Sequence, residues 1–208
     1  MSKNKVLPRA VALTAGCTLL LGVGAAAIAN PVEHGSNEID VNVKIAELEG
    51  PGALAMTVAG ASSTSLVESG SDELIRQFTG TLPTVSVTDT RAAEDVAEGA
   101  YWYVLGTASA FSSETGETIG AEHLGWTPRL IDGGTSGGVT EGDSVDTVLD
   151  SGNNNVGLVD QELLAMAWDS NELLEEGSWT ANADLYLRTP ADVEPGSYSS
   201  KLTLSLFE

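Results

Sequence analysis

The sequence predicts an all-β protein folded as an antiparallel β-sandwich, and three observations support that prediction. Apolar and polar residues alternate with a period of two in several segments, which is typical of strands with one buried and one solvent-exposed face. Glycine and proline turn sequences separate these segments at near-regular spacing. Only one of the 208 residues is a cysteine. An apolar core, which a chain of this length can build, therefore has to stabilise the fold without a disulfide framework.

Strand-like alternation begins before residue 50. The apolar residues of segment 39–45 occupy every second position and alternate with Asp40, Asn42 and Lys44. The same period predicts further strands before residue 125, over residues 54–58, 101–111 and 118–124. Another strand is marked by Val85 and Val87 and enters residues 89–91. The long strand over residues 101–111 places Trp102 and Val104 on one face. The intervening segments have turn or loop composition, namely the turn at 50–52, a small polar loop over 60–71, an acidic connection over 92–99 and the turn at 115–116.

The second half of the chain continues the pattern. Residues 133–142 are rich in glycine, residues 151–155 form a polar turn, and Pro195-Gly196 turns the chain before its last strand. Two rows of alternate residues are expected to face each other across the core: Trp179, Ala181, Ala183, Leu185 and Leu187 in one strand, and Tyr198, Ser200, Leu202, Leu204 and Leu206 in the final one. Short strands at this spacing favour an immunoglobulin-like sandwich.

The segment 163–174 is compatible with two structures. Its apolar residues could form one face of a short amphipathic helix. They could equally form a strand over residues 163–168, followed by an acidic loop. We favour the strand.

Residues 1–29 have the composition of a secretory signal peptide. Three basic residues precede an uncharged, apolar stretch over residues 10–29, which ends in the small-residue sequence Ala27-Ile28-Ala29. The alternative is a membrane anchor, because the stretch approaches the roughly 20 residues that a helix needs to cross a bilayer. We expect cleavage. The mature protein would then be secreted to the cell surface without contact to the membrane, with a flexible N-terminal tail over residues 30–38 and one β-sandwich domain over residues 39–208.

Cys17 admits a second interpretation. The sequence Leu13-Thr14-Ala15-Gly16-Cys17 faintly resembles a lipoprotein box, in which the cysteine would carry a lipid anchor. A lipid-modified cysteine should end the apolar region, however, and here that region continues for a dozen residues. We therefore interpret Cys17 as a small apolar residue of the discarded peptide.

The charge of the chain excludes several partners. The formal net charge is −21 at pH 7. Only six basic residues follow the predicted signal peptide, and they are scattered along the sequence: Lys44, Arg76, Arg91, Arg129, Arg188 and Lys201. Binding of DNA or RNA requires clustered Lys and Arg side chains that neutralise phosphates. The sequence therefore predicts no nucleic-acid partner, and it disfavours anionic lipids and teichoic acids as well.

Catalytic residue patterns are missing from the sequence. The chain has two histidines, His34 and His123, and only His123 falls in the predicted domain. A Ser-His-Asp triad could be built on His123, but no serine lies in a Gly-x-Ser-x-Gly elbow. Cysteine and histidine clusters for zinc are also lacking. We predict a non-enzymatic protein without cofactors.

Calcium is the one metal that the loops could suit. Acidic and amide side chains lie near Asp132, over residues 141–146 and over residues 150–155. Calcium prefers six to eight oxygen ligands, but none of these segments has the spacing of a twelve-residue calcium loop. Ordinary polar turns are the favoured interpretation, and no metal site is predicted.

All tryptophan and tyrosine residues of the chain lie at or after residue 101. Tyr101-Trp102-Tyr103 is unusual, because both faces of one predicted strand carry aromatic rings. One face can pack into the core, while the other has to meet solvent, a neighbour or a ligand. Tyrosine and tryptophan rings stack on flat apolar surfaces and anchor interfaces. Tyr101 and Tyr103 are the better candidates for exposed contact, and core packing is the favoured role of Trp102.

Segments at both ends of the domain resemble a WxL domain. The residues that carry the resemblance are Val85-Ser86-Val87-Thr88-Asp89-Thr90-Arg91, Trp102-Tyr103-Val104, Gly116, Leu124-Gly125-Trp126-Thr127-Pro128 and, near the end, 195–198 and 201–206. The family has a Val-x-Asp-x-Arg stretch before its first Trp-x-Leu motif. This chain departs from it, with Val104 in place of leucine in the first motif and Leu204 in place of tryptophan in the second. It resembles a divergent member.

The resemblance implies a surface protein of a Gram-positive bacterium, and we expect an actinobacterial one. WxL domains bind peptidoglycan non-covalently, so the implied partner is cell-wall peptidoglycan or a surface glycan. The ligand-binding residues suggested by the motif and the aromatic pattern are Tyr101, Trp102, Tyr103, Val104 and Trp126.

Two other functions remain open at the level of sequence. The protein could be a structural subunit of a surface filament or layer, with the tail or the strand at residues 39–45 completing a neighbour's sheet by strand addition. Other surface proteins would then be its partners. An exported enzyme is the least favoured function, and it would require a deep polar pocket around His123 or a pair of acidic residues.

Overall fold

The computed structural model describes residues 52–60 and 63–208. The predicted signal peptide with Cys17, the predicted tail and the predicted strand at residues 39–45 lie outside the described residues. None of the helical segments among the described residues could span a lipid bilayer.

The described chain is almost entirely β-structure. Its strands, in chain order, are β1 Leu54–Val58, β2 Val67–Glu68, β3 Ile75–Thr81, β4 Val85–Asp89, β5 Tyr103–Ala108, β6 Phe111–Ser113, β7 Thr118–Ile119, β8 Leu124–Asp132, β9 Val139–Glu141, β10 Glu162–Ala167, β11 Ser178–Pro190, β12 Tyr198–Ser199 and β13 Leu202–Phe207. Helical structure is confined to the four-residue helix α1, Ser170–Leu173, and two single 3₁₀ turns at Ala93–Asp95 and Ala121–His123. All strand pairs are antiparallel.

The first sheet is organised around the long strand β11. Its first residues pair with β4 and its later residues with β3, while β8 runs along its other edge. β1 adds to the outer side of β4, and β2 adds to the outer side of β3. Trp179, Ala181, Ala183, Leu185 and Leu187 of β11 are all buried, which confirms the predicted inward row.

The second sheet has the strand order β13-β5-β10-β9. A small third sheet has the order β12-β6-β7, in which β6 follows β5 along the chain and β12 precedes β13. The inward side chains of the two larger sheets meet in one apolar core. Trp102, directly before β5, contacts Trp179 of β11 there, with ring centroids 5.4 Å apart. The all-β antiparallel sandwich predicted from sequence is therefore the observed fold.

The prediction of one long strand over residues 101–111 was wrong. β5 ends at Ala108, and Ser109 and Ala110 separate it from β6, which pairs with β12 and β7 instead of continuing along β13. The predicted strand at 118–124 is also divided, because the 3₁₀ turn Ala121–His123 separates β7 from β8.

Short strands occur where the sequence predicted loops. The segment 60–71 contains β2, and the glycine-rich segment 133–142 contains β9. In the ambiguous segment 163–174, the favoured strand is confirmed as β10. Helix α1 replaces part of the expected acidic loop, because the Asp169 carboxylate accepts hydrogen bonds from the backbone N–H groups of Asn171 and Glu172 and so caps the first turn.

Candidate functional site

The predicted binding residues divide between the core and the surface. Trp102 and Val104 are each 1% exposed and Trp126 is completely buried, whereas Tyr101 is 47% exposed and Tyr103 is half-buried. A ligand arriving from solvent therefore has access only to the two tyrosines. Trp102, Val104 and Trp126 pack the core, as was favoured for Trp102 from sequence.

Strand geometry explains this division. Successive side chains of an extended chain point to opposite faces, so Trp102 and Val104 point inward while Tyr101 and Tyr103 point outward. The core has room for the Trp126 ring because residue 106 is glycine. A Cβ atom at Gly106 would lie 2.5 Å from Cη2 of Trp126, which is closer than carbon atoms can approach without displacement.

Three aromatic rings form a stacked row on the outer face of the second sheet. Tyr103 of β5 pairs directly with Phe207 of β13, and their ring centroids are 5.3 Å apart with 18° between the ring planes. Tyr101 stacks on the other side of Tyr103, with centroids 5.9 Å apart and planes 28° apart. Phe207 is 36% exposed. Neighbouring rings in the row are therefore close to parallel, and the row is accessible to solvent.

The row is extended by Met166 of β10 and by Trp168, which lies just after the end of β10. Met166 is the cross-strand partner of Tyr103 on the side away from Phe207, so its side chain lies on the same face. Trp168 follows two residues later, where its backbone N–H still donates to the carbonyl of Gly138, and it is 65% exposed. We call the five residues Tyr101, Tyr103, Met166, Trp168 and Phe207 the aromatic face.

Sequence reasoning found the two tyrosines and missed Phe207 and Trp168 as surface residues. A signal for Phe207 was present, because the inward row of the last strand contains Leu202, Leu204 and Leu206, and residue 207 then has to point outward. Trp168 carries no such signal, since it lies beyond the end of β10.

An ion-pair cluster fixes the end of β13 beside the aromatic face. Asp89 is buried, and its two carboxylate oxygens accept hydrogen bonds from Nε and Nη2 of Arg91 at 2.9 and 2.6 Å. Nη1 of Arg91 donates to Oε2 of Glu208 at 2.7 Å. The hydrogen bonds to Asp89 and then to Glu208 raise the pKa of Arg91 above its usual value. The Val-x-Asp-x-Arg stretch thus has a structural role, which is to connect the end of β4 to the residue that follows Phe207.

Asp132, Asp146 and Asp150 of the segments considered for calcium are engaged within the protein, and Asp132 accepts a hydrogen bond from the backbone N–H of Gly134. Asp150 accepts hydrogen bonds from the backbone N–H and the hydroxyl of Thr147 and forms an ion pair with Arg188. Asp146 accepts a hydrogen bond from the hydroxyl of Tyr186. Among residues 52–60 and 63–208, no group of three His, Cys, Asp or Glu side chains is arranged to hold a metal ion.

His123 is engaged by the backbone. Its Nδ1 atom lies 2.7 Å from the carbonyl oxygen of Arg188, within hydrogen-bond distance. That contact connects the 3₁₀ turn before β8 to β11.

Glu176 connects the glycine-rich segment 133–142 to β11 by hydrogen bonds, and these hydrogen bonds should depend on pH. Its carboxylate accepts hydrogen bonds from Nε1 of Trp179 and from the backbone N–H groups of Ser136 and Thr135, which lower the pKa of Glu176 to about 2. Because this pKa is depressed, the stabilisation by the contact is fully present above the usual glutamate pKa of about 4.5. It is lost as the pH falls through the folded-state pKa of about 2, at which half of the carboxylates are protonated.

The measurement is the indole N–H resonance of Trp179 by NMR. We expect it to titrate with a midpoint of about 2. The Glu176→Gln variant, which keeps an acceptor oxygen but cannot ionise, should show no such titration. A midpoint near 4.5 in the unmodified protein would contradict the hydrogen-bonding role of this carboxylate.

Comparison with known proteins gave no match: no protein-family model, no curated protein and no solved structure is similar to this chain. The aromatic face presents exposed rings on the outer side of the second sheet. Its chemistry suits a flat, largely uncharged partner that can stack on several rings at once.

Proposed function

We propose that this is a secreted surface protein that binds the glycan of the bacterial cell wall, and that sugar rings stack on the aromatic face. The observation that carries the proposal is the row of Tyr101, Tyr103 and Phe207, whose neighbouring rings stack on the outer face of a sheet. It is proposed as a binding protein and not as an enzyme.

Tyr101 and Phe207 of the row are exposed to solvent, and Tyr103 is half-buried. Aromatic side chains gain free energy when they leave water, and a contiguous exposed apolar patch on a soluble domain marks an interaction site. Sugar rings present apolar C–H faces that pack on aromatic planes. Tyr103 and Phe207 lie on paired strands and their rings already stack on each other, so little side-chain freedom is lost on binding, and this favours affinity.

The charge of the protein narrows the choice of glycan. A net charge of −21 repels polyanions such as teichoic acids. The glycan strands of peptidoglycan should be repelled less than teichoic acids. The resemblance to WxL domains and the predicted signal peptide favour the same partner. Peptidoglycan is therefore the ligand we propose.

The test is sedimentation of the exported chain, residues 30–208, with purified peptidoglycan sacculi. We expect saturable binding, and a Tyr101→Ala/Tyr103→Ala double variant should bind at least about tenfold more weakly, which corresponds to about 1.4 kcal/mol. Both side chains are on the surface, so the double variant should keep its fold. Addition of calcium should leave binding unchanged.

The matched control is Leu74→Ala. Leu74 is 78% exposed and directly precedes β3 of the other sheet, so this variant removes exposed apolar surface away from the aromatic face and should bind like the unmodified protein. The proposal fails if the unmodified chain does not bind sacculi, or if the double variant binds as well as Leu74→Ala.

A further inference from the structure

An apolar groove of about 990 Å³ opens between the two sheets at one end of the sandwich. Its floor includes the core residues Leu82, Leu185 and Leu187 on the side of the first sheet and Phe111 of the small sheet. A space of this volume is as large as the ligand pockets of many proteins. Partly buried apolar residues of β1 and β13 line it as well.

Edge strands of both sheets line the groove, together with the loop segments 63–66 and 193–201. β1 is the outermost strand of the first sheet and β13 is the outermost strand of the second, and among the described residues each has a strand partner on one side only. Their side chains are incompletely covered: Val58 at the end of β1 is 38% exposed, and Leu202 and Leu204 of β13 are half-buried. The sandwich has the form expected when one edge strand is missing from its core.

The groove lies at the end of the sandwich opposite to the point where the chain enters it at Gly52. Gly52 lies against Arg91, whose guanidinium contacts Glu208, so the chain enters the domain where β1 begins and β13 ends. The groove lies at the opposite end, where β1 finishes at Val58 and β13 begins at Leu202. The segment before Gly52 is therefore attached at one end of the sandwich, and the groove opens at the other.

We propose that the groove receives residues 39–45 of a second copy of this chain as an added strand. Ile39, Val41, Val43 and Ile45 occupy every second position, so one face of this strand would supply four aliphatic side chains to the groove. Seven residues in extended conformation span about 23 Å. The strand backbone would pair with a free edge of β1 or β13, while the apolar side chains complete the core.

The consequence of this geometry is head-to-tail assembly. A strand attached at one end and an acceptor groove at the other make a heterologous contact, which continues from copy to copy and gives a filament when the rotation does not close. Assembly is a property additional to the proposed glycan binding. It would strengthen the binding of the filament to the wall, because each added copy brings another aromatic face to the same wall.

The first test uses disulfide trapping in the exported chain, residues 30–208, which contains no cysteine of its own. A Val43→Cys/Leu202→Cys variant is oxidised and separated by electrophoresis without reductant. We expect a ladder of cross-linked multimers. Only an internally cross-linked monomer would mean that the strand belongs to the same copy, and no cross-linking would mean that the segment does not enter the groove. Either result overturns the proposal.

The matched control is Asn42→Cys/Leu202→Cys. Asn42 alternates with the apolar residues, so its side chain should point away from the groove. We expect at least about tenfold less cross-linking than with Val43→Cys/Leu202→Cys. Equal cross-linking of the two variants would indicate random collision and would overturn the inserted-strand geometry.

The second test separates assembly from glycan binding. We expect concentrated unmodified protein to form high-molecular-mass species in sedimentation, and a Val41→Asp/Val43→Asp variant should not form them. The variant should still bind sacculi, with the affinity of single copies. The Tyr101→Ala/Tyr103→Ala variant should still assemble. If Val41→Asp/Val43→Asp assembles like the unmodified chain, the groove does not take this strand, whatever the outcome of the sacculus experiment.

Discussion

Replacement of Arg91 by alanine should lower the free energy of unfolding by about 3–5 kcal/mol. Asp89 is 3% exposed, and Arg91 supplies the hydrogen bonds to both oxygens of its carboxylate. Removal of the guanidinium leaves a buried carboxylate without its counter-charge, which is among the costliest changes that a single substitution can make. Denaturant unfolding of the purified variant measures the effect.

Two comparisons make this prediction specific. Arg129→Ala removes another arginine–carboxylate pair, that with Asp184, but both side chains are about half exposed, so the loss should be only about 0–1 kcal/mol. Arg91→Lys keeps the charge but cannot donate two parallel hydrogen bonds, and its stability should fall between those of Arg91→Ala and the unmodified protein. Similar losses for Arg91→Ala and Arg129→Ala would show that burial of Asp89 does not matter.

Trp102→Ala should be comparably destabilising, by about 3–5 kcal/mol. The ring is 1% exposed and contacts Trp179 across the core, so truncation leaves a large cavity between the two sheets. Thermal or denaturant unfolding gives the size of the loss.

Trp102→Phe provides the control for this effect. Nε1 of Trp102 is buried without a hydrogen-bond partner among the described residues, so phenylalanine removes an unsatisfied donor while it keeps an aromatic ring in the core. We therefore expect the loss to be clearly smaller than for alanine. If Trp102→Ala were as stable as the unmodified protein but failed to bind sacculi, Trp102 would be a ligand contact and not a core residue.

The alternation of residues was sufficient to predict the strands with one buried face. β1, β4 and β11 lie where the period of two placed them. The division of segment 101–111 could not be predicted, because it depends on the pairing of β6 with β7 and with β12, which lies far away in the sequence. β2, with two residues, and β9, with three, are too short to show any period.

The aromatic face was predicted only in part. The outward direction of Tyr101 and Tyr103 follows from the alternation within one strand. Their neighbours Phe207 and Met166 become neighbours only through the register of β13 and β10 on β5, and register cannot be read from a single sequence. The apolar groove likewise depends on which strands end the two sheets, a property of the whole topology.

The central position of β11 also determines when this domain can fold. Its partners are strands far upstream: Trp179 pairs with Val87, and Leu187 pairs with Phe78. Contacts between residues this distant in sequence make folding slow, typically milliseconds to seconds for all-β domains. β3 and β4 therefore emerge from the ribosome well before the strand that pairs with them. Until Pro190 has followed, these two strands are the part of the nascent chain most exposed to aggregation and proteolysis.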